Sequence, residues 1–435
     1  MTATSDDTFC FVHAADLHLD TPFAGVHEAA PEIAAALREA SLDAFDSIVS
    51  LALARGAAFL VVAGDVYDGP ERGLRAQLRF REGLARLAGE GIPSFVVHGN
   101  HDPVTTGWSA VASWPPGVTV FASDAVAVVP VHRSGTQIAT VQGISYATRA
   151  TAENLSLRFA RPDAPGVHVG VLHCNVAGAA EGYADYSPCT LDDLRRARLD
   201  YWALGHVHQQ RVLARGHGPG DPWVVYAGNS QARSPRASER GPKGAVVVHV
   251  RAGAVERVEP VACDRVRFAS LDCPIDDLTG LDELEERLVA LGTDALAAED
   301  GRSLVLGARI TGRGPVHRDV ARSGSLDELL RHLRDGARRD EPFCWWDRLT
   351  DASGSAVDLD EVRARGDFSA DLVALAEALG SDADTPGLVA TEIAASVPRA
   401  LAADVASLAG DPGRFASLLD AATRLALDEL AAGGP

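Results

Sequence analysis

The sequence predicts an α/β fold, more specifically an α+β arrangement of two packed mixed β-sheets flanked by helices, with a small α+β domain and a helical C-terminus after it. Three observations support this prediction. Short apolar runs alternate with amphipathic segments of helical length. Five of these runs end in residues that can bind a metal, at the edge where α/β folds place their chemistry. The last segment is rich in Ala and Leu and is interrupted by Pro and Gly, which is typical of short helices.

The first segment, residues 1–263, carries the signals for the two sheets. A helix opened by a proline and ended by a glycine is predicted at 31–55, and a second helix at 74–88. Short runs broken by Ser, Asp and Gly predict antiparallel strands at 118–121, 125–131 and 138–142. Later strands are predicted at 223–226, 245–250 and 255–261. Mixed strands with helices on both outer faces imply two sheets packed together.

Two shorter segments complete the chain. Residues 264–350 predict a small α+β unit appended to the first domain. Its elements are strand 266–271, helix 278–291, strand 303–311 and helix 325–339. Residues 351–435 predict helices with acidic outer faces, and their 15 acidic residues against 5 arginines account for half of the net charge of −20. This charge argues against a broad nucleic-acid-binding face, but not against a metal-dependent nuclease whose site carboxylates are offset by cations.

The composition fits a globular protein of more than one domain. The chain has 435 residues, 46% of them hydrophobic, and a mean hydropathy of +0.01. No apolar run approaches the roughly 20 residues needed to cross a bilayer. The polar start at residues 1–8 leads directly into a strand, so we expect no signal peptide. Six scattered cysteines without a CxxC pair are typical of reduced core cysteines, and we therefore expect a cytoplasmic protein.

Candidate metal ligands follow five of the predicted buried strands. The five motifs are Asp16-Leu-His18, Gly64-Asp65-Val-Tyr-Asp68, Gly99-Asn100-His101-Asp102, His173 and Gly205-His206-Val-His208. Every donor is a carboxylate or amide oxygen or an imidazole nitrogen, and no cysteine thiolate is among them. That donor set suits two divalent cations acting on a phosphate, such as manganese, better than a structural zinc. One motif alone would be a weak signal, whereas five in order are a strong one.

A two-metal hydrolytic site needs one carboxylate that reaches both cations and separate ligands for each. Asp65, from the end of a central strand, is the predicted shared ligand. The separate ligands are Asp16, His18 and His208 for one metal, and Asn100, His173 and His206 for the other. Between two such cations the pKa of a water molecule falls far enough to supply a nucleophile near neutral pH.

Two further residues are predicted to act without binding metal. His101 follows the ligand Asn100 and should point into the site, where it can contact a phosphate oxygen or protonate the leaving alkoxide. Asp68 lies three residues after the shared ligand and could orient His101 and raise its basicity. Arginines after Asn229 are candidates for contacts with substrate phosphates, although a solvated surface is an alternative for them. They are Arg233, Arg236 and Arg240, with Lys243 beside them.

The ordered motifs DxH, GDxxD, GNHD, H and GHxH resemble the calcineurin-like metallophosphoesterase superfamily over residues 10–230. The local sequences are similar to the YhaO-type DNA repair exonucleases, relatives of SbcD. The similar stretches are 14–23 (AADLHLDTPF), 64–69 (GDVYDG), 74–80 (LRAQLRF), 98–103 (HGNHDP), 201–208 (YWALGHVH), 311–317 (TGRGPVH) and 346–349 (WDRL). The resemblance implies a metallophosphoesterase αββα sandwich over residues 1–263, a cap-like domain at 264–350 and a helical C-terminal segment at 351–435.

The same resemblance implies a manganese-dependent DNA exonuclease with two divalent metals. It also implies a partner, an SbcC-like coiled-coil ATPase gripped by the C-terminal helices, while a homodimer stays open and no membrane is expected. One loop departs from the pattern. Where the family carries a Pro-Gly-Asn, Gln-Gly-Arg-His type of loop, this chain has Ala227, Ala232 and Ser234 at the positions of Pro, Gly and His. We therefore expect substrate preference to depend on this loop.

Three functions remain in competition at this point. The first is cleavage of DNA, with exonuclease and single-strand endonuclease activity. The second keeps the site but acts on cyclic nucleotides or small phosphoesters, and the extra domain after residue 263 argues for a longer substrate than these. The third makes the chain a non-catalytic scaffold subunit of an ATPase complex, which the complete set of expected ligands argues against.

Overall fold

A computed structural model describes residues 8–21, 31–69, 73–105, 109–178, 186–382, 385–397, 405 and 410–432. Residues 1–7, and 22–23 at the end of the motif around Asp16, lie outside these ranges, so the expectations on them stay predictions. The strands are β1 (Thr8–Ala14), β2 (Leu60–Ala63), β3 (Ser94–Val97), β4 (Val118–Val120), β5 (Ala127–Arg133), β6 (Thr136–Gly143), β7 (Val167–His173), β8 (Tyr201–Gly205), β9 (Arg211–Ala214), β10 (Trp223–Tyr226), β11 (Gly244–Arg251), β12 (Ala254–Ala262), β13 (Val266–Pro274), β14 (Ser303–Thr311) and β15 (Cys344–Asp351).

The helices lie between and after these strands. They are α1 (Pro31–Ala54), α2 (Leu74–Gly89), α3 (Leu191–Arg196), α4 (Leu281–Ala297), α5 (His317–Val320), α6 (Ser325–Gly336), α7 (Leu359–Arg365), α8 (Phe368–Ser381), α9 (Thr385–Ser396) and α10 (Pro412–Ala432). Within the described ranges, none of them combines the length and the apolar character that crossing a bilayer requires.

Two six-stranded mixed sheets carry the ligand motifs. The first has the order β12-β11-β1-β2-β3-β4, in which β1 to β4 are parallel and β11 and β12 are antiparallel to their neighbours. The second has the order β5-β6-β7-β8-β10-β9, in which β6, β7, β8 and β10 are parallel. Parallel neighbours end at one edge, so the ligands that follow β1, β2 and β3 meet there, as do those of β7 and β8.

The side chains of the central strands alternate between two layers of core. On β2, Leu60 and Val62 pack with α1 and α2, whereas Val61 and Ala63 pack between the two sheets. On β8, Ala203 lies in the core between the sheets and Trp202 lies on the other face of its sheet. Because both faces are covered, these strands are continuously apolar, which is why the sequence displays them as uninterrupted hydrophobic runs.

The remaining strands form a third sheet, with the order β13-β14-β15. The chain divides into two compact units whose boundary falls within these strands. The first unit is residues 1–269, 295–306 and 337–347, and the second is 270–294, 307–336 and 348–435. In the first unit, α1 packs its N-terminal half against Val266, Val305 and Phe343. The predicted division at residues 263 and 350 stays a prediction.

The predicted fold class is confirmed, with differences in detail. The run at 118–121 was expected to be antiparallel and is instead β4, parallel to β3 at the edge of the first sheet. The prediction was wrong because a run of apolar residues indicates a strand but not the direction of its partner. The sequence argument also missed β15, whose segment CWWDRLTD mixes charged and aromatic residues. The runs at 125–131 and 138–142 are β5 and β6, which pair antiparallel as expected.

Candidate metal centre

All nine predicted site residues lie in one connected network at the shared edge of the two sheets. Its members are Asp16, His18, Asp65, Asp68, Asn100, His101, His173, His206 and His208. Six of these residues are almost completely buried, which excludes bulk water from most of the ligand atoms. Buried carboxylates and imidazoles in such numbers are stable only if they pair with one another or bind cations. The distances within each group of side chains indicate which of the two occurs.

The loops that carry the first ligands are held together by their own backbones. The amide of Asp16 donates to the carbonyl of Gly64 at 3.0 Å, and the amide of His18 donates to the carbonyl of Asp65 at 3.0 Å. The predicted ligands Asp16, His18 and Asp65 have positive φ values of 50°, 44° and 50°. Non-glycine residues seldom adopt this region, and such strain persists where the surrounding structure imposes it, typically at functional sites.

Glycines in the motifs permit the close approach of the ligands. A Cβ atom placed on Gly99 would lie 2.3 Å from Oδ1 of Asp65 and 2.8 Å from Nε2 of His173. A Cβ atom on Gly205 would lie 1.8 Å from the carbonyl oxygen of Ala63. Neither contact can be accommodated without moving a ligand or its strand, which explains why the GNHD and GHxH motifs begin with glycine.

Asp16, His18 and His208 form the first group of ligand atoms, all within 4.8 Å of one another. The Nε2 atoms of His18 and His208 are 3.2 Å apart. Two nitrogens bound to the same cation, each at about 2.1 Å from it, are about 3.0 to 3.4 Å apart. The spacing of His18 and His208 therefore fits a cation shared by the two rings. Asp16 also accepts the backbone amide of His206 at 3.0 Å. The composition of this group is the one expected for the first metal.

Asp16, Asp65 and His173 form the second group, and Asn100 lies beside them. Nε2 of His173 is 2.9 Å from Oδ1 of Asn100 and 3.3 Å from Oδ2 of Asp65. The same Asp65 oxygen is 4.0 Å from Nε2 of His18 in the first group, so this carboxylate reaches ligands of both predicted metals. His206 is in none of the close groups of the described residues, and its ring lies edge-on to His173 with centroids 5.3 Å apart.

The surroundings of His173 fit a cation better than a neutral imidazole. Its Nδ1–H donates to the carbonyl of Ala63 at 3.0 Å, which leaves the lone pair of Nε2 facing the oxygens of Asn100 and Asp65. Burial lowers the pKa of His173, but the charge and hydrogen bond of Asp65 and the charge of Asp16 outweigh it and raise the pKa to about 9. A proton must therefore sit where a divalent cation would bind, so the residues fit the metal.

Metal binding is accordingly expected to release protons and to weaken as pH falls. With a pKa of about 9, His173 is protonated below pH 9 in the metal-free chain, and burial raises the pKa of Asp16 to about 6, so a second proton joins below pH 6. We expect the affinity for Mn²⁺ to fall about tenfold per pH unit from pH 9 to pH 6 and more steeply below. Calorimetry in buffers of different ionisation enthalpy measures the released protons. An affinity that is constant between pH 6 and pH 9 would contradict this.

His101 and Asp68 lie next to the ligands as a hydrogen-bonded pair. Nδ1 of His101 is 2.6 Å from Oδ1 of Asp68, and the other carboxylate oxygen accepts from Nη2 of Arg233 at 2.6 Å. The backbone amide of His101 donates to Asp65 at 2.9 Å. Burial lowers the pKa of His101, but the hydrogen bond to Asp68 and the charges of Asp65 and Asp68 outweigh it, so the pKa is raised. An imidazole whose pKa is raised keeps its proton to higher pH and is suited to donate it to a leaving group.

Comparisons with known proteins place this site in a family. The pattern of the calcineurin-like phosphoesterases matches residues 10–210, and that of the middle domain of metallophosphoesterase YhaO matches residues 268–354. An "uncharacterized metallophosphoesterase YhaO" of Bacillus subtilis (strain 168) is 33% identical over 353 residues, which is 80% of this chain and 83% of that protein. The chain belongs to the YhaO-type calcineurin-like phosphoesterases. It is therefore a phosphoester hydrolase of a family that binds two divalent metals.

More distant relatives of this phosphoesterase are described as DNA double-strand break repair proteins Mre11. The protein of Thermoplasma acidophilum is 28% identical over 196 residues, covering 44% of this chain and 50% of that protein. The protein of Haloferax volcanii is 26% identical over 381 residues, covering 81% of this chain and 77% of that protein. The similarity to the Haloferax volcanii protein therefore extends beyond the ligand motifs.

The structure adds two residues that sequence reasoning did not single out as part of the site. Glu239 is buried and accepts a hydrogen bond from His208 at 2.6 Å. Asp102, interpreted above only as the end of a motif, accepts the amides of Val66 at 2.9 Å and Gly99 at 2.9 Å, so it ties two ligand loops of the phosphoesterase together. For Asp102, the GNHD motif was a sequence signal that it belongs to the site. No sequence pattern indicates Glu239, because it lies 31 residues after His208, outside the strands and longer helices.

The altered loop also differs from expectation. Ala227 is buried between the two sheets, and Ala232 is buried against α1. Two of the three departures from the family pattern are therefore core positions, and the expectation that they alter a substrate-facing surface is wrong for them. Ser234 is partly exposed and remains a candidate for an effect on substrate preference.

Proposed function

We propose that this phosphoesterase cleaves the phosphodiester bonds of DNA, as a DNA repair exonuclease that also cuts single strands internally. One observation carries the proposal: the two groups of ligand atoms share Asp16, and Oδ2 of Asp65 lies within 4.0 Å of a histidine in each group. Both groups adjoin the partly exposed pair of His101 and Asp68. A site built this way offers a position for a phosphodiester between the ligands and a proton donor. The relatives described as DNA double-strand break repair proteins make DNA the favoured phosphodiester.

The roles of the residues follow from their chemistry. Two divalent cations, for which we propose Mn²⁺, would neutralise charge on the phosphoryl oxygens and lower the pKa of the attacking water. Asp16, His18 and His208 would hold one cation, Asn100, His173 and His206 the other, and Asp65 both. As the new oxygen–phosphorus bond forms and the ester bond breaks, His101 gives its proton to the leaving oxygen. Asp68 keeps the His101 ring oriented through Nδ1.

Arg233 is the best candidate for a contact with the substrate phosphate. Its Nη2 donates to Asp68, while its Nε is buried without a hydrogen-bond partner among the described residues. The side chain remains 25% exposed, so a phosphate beside His101 can reach it. A guanidinium donates two parallel hydrogen bonds to a phosphate, which makes arginine suitable for positioning a DNA backbone.

The proposal extends to partners and location. The predicted ATPase partner of SbcC type would bind the helical segment α7–α10, in which Phe368 and Leu388 are 70% and 69% exposed. Exposed large apolar side chains recur along this segment, and apolar side chains that form a contiguous exposed patch mark an interaction surface. A homodimer and a cytoplasmic location also belong to the proposal. Co-purification of the chain with a coiled-coil ATPase, and loss of that ATPase after Phe368→Ser with Leu388→Ser, tests the partner.

A nuclease assay tests the substrate. The purified chain with Mn²⁺ is expected to degrade linear duplex DNA and to cut single-stranded DNA, whereas Asn100→Ala reduces both activities to background because a ligand of His173's metal is lost. Cyclic AMP and bis-p-nitrophenyl phosphate are measured in parallel, and an unchanged thermal unfolding midpoint shows that the variant is folded. Ready hydrolysis of the small esters with every DNA form intact would refute the DNA proposal and favour the small-phosphoester alternative. A chain without any of these activities would favour the scaffold alternative.

A further inference from the structure

A buried carboxylate lies behind one of the metal ligands. Glu239 ends the short 3-10 turn Ala237–Glu239 and is only 6% exposed. Its Oε1 is 2.6 Å from Nδ1 of His208. Its Oε2 accepts from Nδ2 of Asn229 at 2.7 Å and from the backbone amide of Arg233 at 3.2 Å. One carboxylate therefore contacts both a metal ligand and the loop that follows β10.

The partners of Glu239 define its chemical task. Nδ2 of Asn229 and the amide of Arg233 both donate to Oε2, so that oxygen must accept. An ionised carboxylate accepts at Oε1 as well, from Nδ1 of His208, whereas a side-chain amide accepts at one end and donates at the other. His208 then carries its proton on Nδ1 and its lone pair on Nε2, the atom 3.2 Å from Nε2 of His18. Carboxylate partners of this kind orient a ligating imidazole and raise its basicity.

The second oxygen of Glu239 accepts hydrogen bonds from the loop of residues 229–233. The side chain of Arg233 extends from this loop to the site, where its Nη2 donates to Asp68, the partner of His101. Lys243 fixes the other side of the arrangement, because its Nζ donates to the backbone carbonyls of His208 at 2.8 Å and of Ser238 at 3.2 Å. Displacing Glu239 would therefore disturb the ligand and the arginine together.

We propose that Glu239 is a positioning residue that holds His208 in the metal-binding orientation and at the same time holds the loop that aims Arg233 at Asp68. The inference rests on the proposed two-metal centre, but not on DNA as the substrate. On this proposal, Glu239 strengthens the binding of the cation that Asp16, His18 and His208 would hold. It has no effect on the binding of the other cation.

Titration of the full chain with Mn²⁺ tests the proposal without any substrate. Electron paramagnetic resonance of the free ion is expected to give two binding events in the wild type. In Glu239→Gln one event should weaken by about 10- to 100-fold, because glutamine offers one acceptor and one donor where two acceptors are needed. In a His208→Ala background the same glutamine should change the remaining affinity less than about twofold. Equal effects in both backgrounds, or no effect in either, would overturn the assignment.

Glu259→Gln is the matched control. Glu259 makes the same kind of contact with a histidine, 2.9 Å from Nε2 of His249, in the same compact unit but outside the metal network. It should leave both Mn²⁺ affinities within about twofold of the wild type. If it weakens binding as much as Glu239→Gln does, the effect is a general loss of stability and the proposal fails.

A measurement on the wild type keeps the inference testable if Glu239→Gln does not fold. With Zn²⁺ as a diamagnetic probe, ¹⁵N spectra of selectively labelled histidine are expected to give His208 a proton on Nδ1. Protonation on Nε2 instead would overturn the proposal. Since no nucleic acid is present in either experiment, failure of DNA cleavage leaves this inference standing, and failure of this inference leaves the proposed nuclease activity standing.

Discussion

Asp65→Asn is expected to abolish tight metal binding at both positions and to lower phosphodiesterase activity at least about a thousandfold. Oδ2 of Asp65 lies 3.3 Å from Nε2 of His173 and 4.0 Å from Nε2 of His18, so the one carboxylate serves both groups of ligands. An amide keeps the shape but removes the negative charge that would help to hold two dications. A loss of about 4 kcal/mol of transition-state stabilisation corresponds to this thousandfold effect.

Metal titration and steady-state kinetics, carried out on the same preparation, measure this effect. Asp200→Asn is the matched control, because Asp200 is also buried and accepts backbone amides, from His168 at 2.8 Å and Gly220 at 2.8 Å. It precedes β8 at the opposite end of that strand from His206, so it should lower stability without changing metal stoichiometry. Asp65→Asn with two tightly bound Mn²⁺ ions and normal activity would show that the carboxylate is not shared.

The sequence made the strand-end motifs visible for a physical reason. Strands buried on both faces are mostly apolar, so a polar residue at the end of such a strand, such as His173, or just beyond it, such as Asp65, is conspicuous. Parallel strands then bring their ends to one edge, which is why the sequence predicts one site for residues up to 192 positions apart. The pairing of His101 with Asp68 also followed from short motif spacings, and the two side chains are indeed in contact.

The features that the sequence did not predict lie in segments without a regular or unambiguous hydrophobic pattern. Glu239 reaches His208 because the segment after β10 folds back over the site, and no periodic pattern predicts such a path. The direction of β4 depends on its partner across the sheet. Three of the eight residues of β15 are charged, because several of its residues are partly exposed or exposed. The burial of Ala232 against α1 likewise depends on contacts between segments far apart in the chain.

His101→Ala is expected to lower kcat about 100- to 10,000-fold while leaving both Mn²⁺ affinities within about twofold of the wild type. His101 donates its backbone amide to the ligand Asp65, and alanine keeps this hydrogen bond, so the ligand geometry should survive. The substitution removes the imidazole that Asp68 orients and whose raised pKa suits proton donation to the leaving oxygen. General acid catalysis contributes effects of this size.

The choice of leaving group separates this role from a merely structural one. An ester with an acidic leaving group, such as bis-p-nitrophenyl phosphate, needs no proton from the enzyme, so His101→Ala should slow its hydrolysis far less than that of DNA. His132→Ala removes an exposed imidazole on β5 and should change neither rate. Equal slowing of both substrates by His101→Ala would mean that His101 stabilises the transition state by contact with the phosphate, since that contact does not depend on the basicity of the leaving oxygen. The comparison therefore decides between the two actions that the sequence left open for His101.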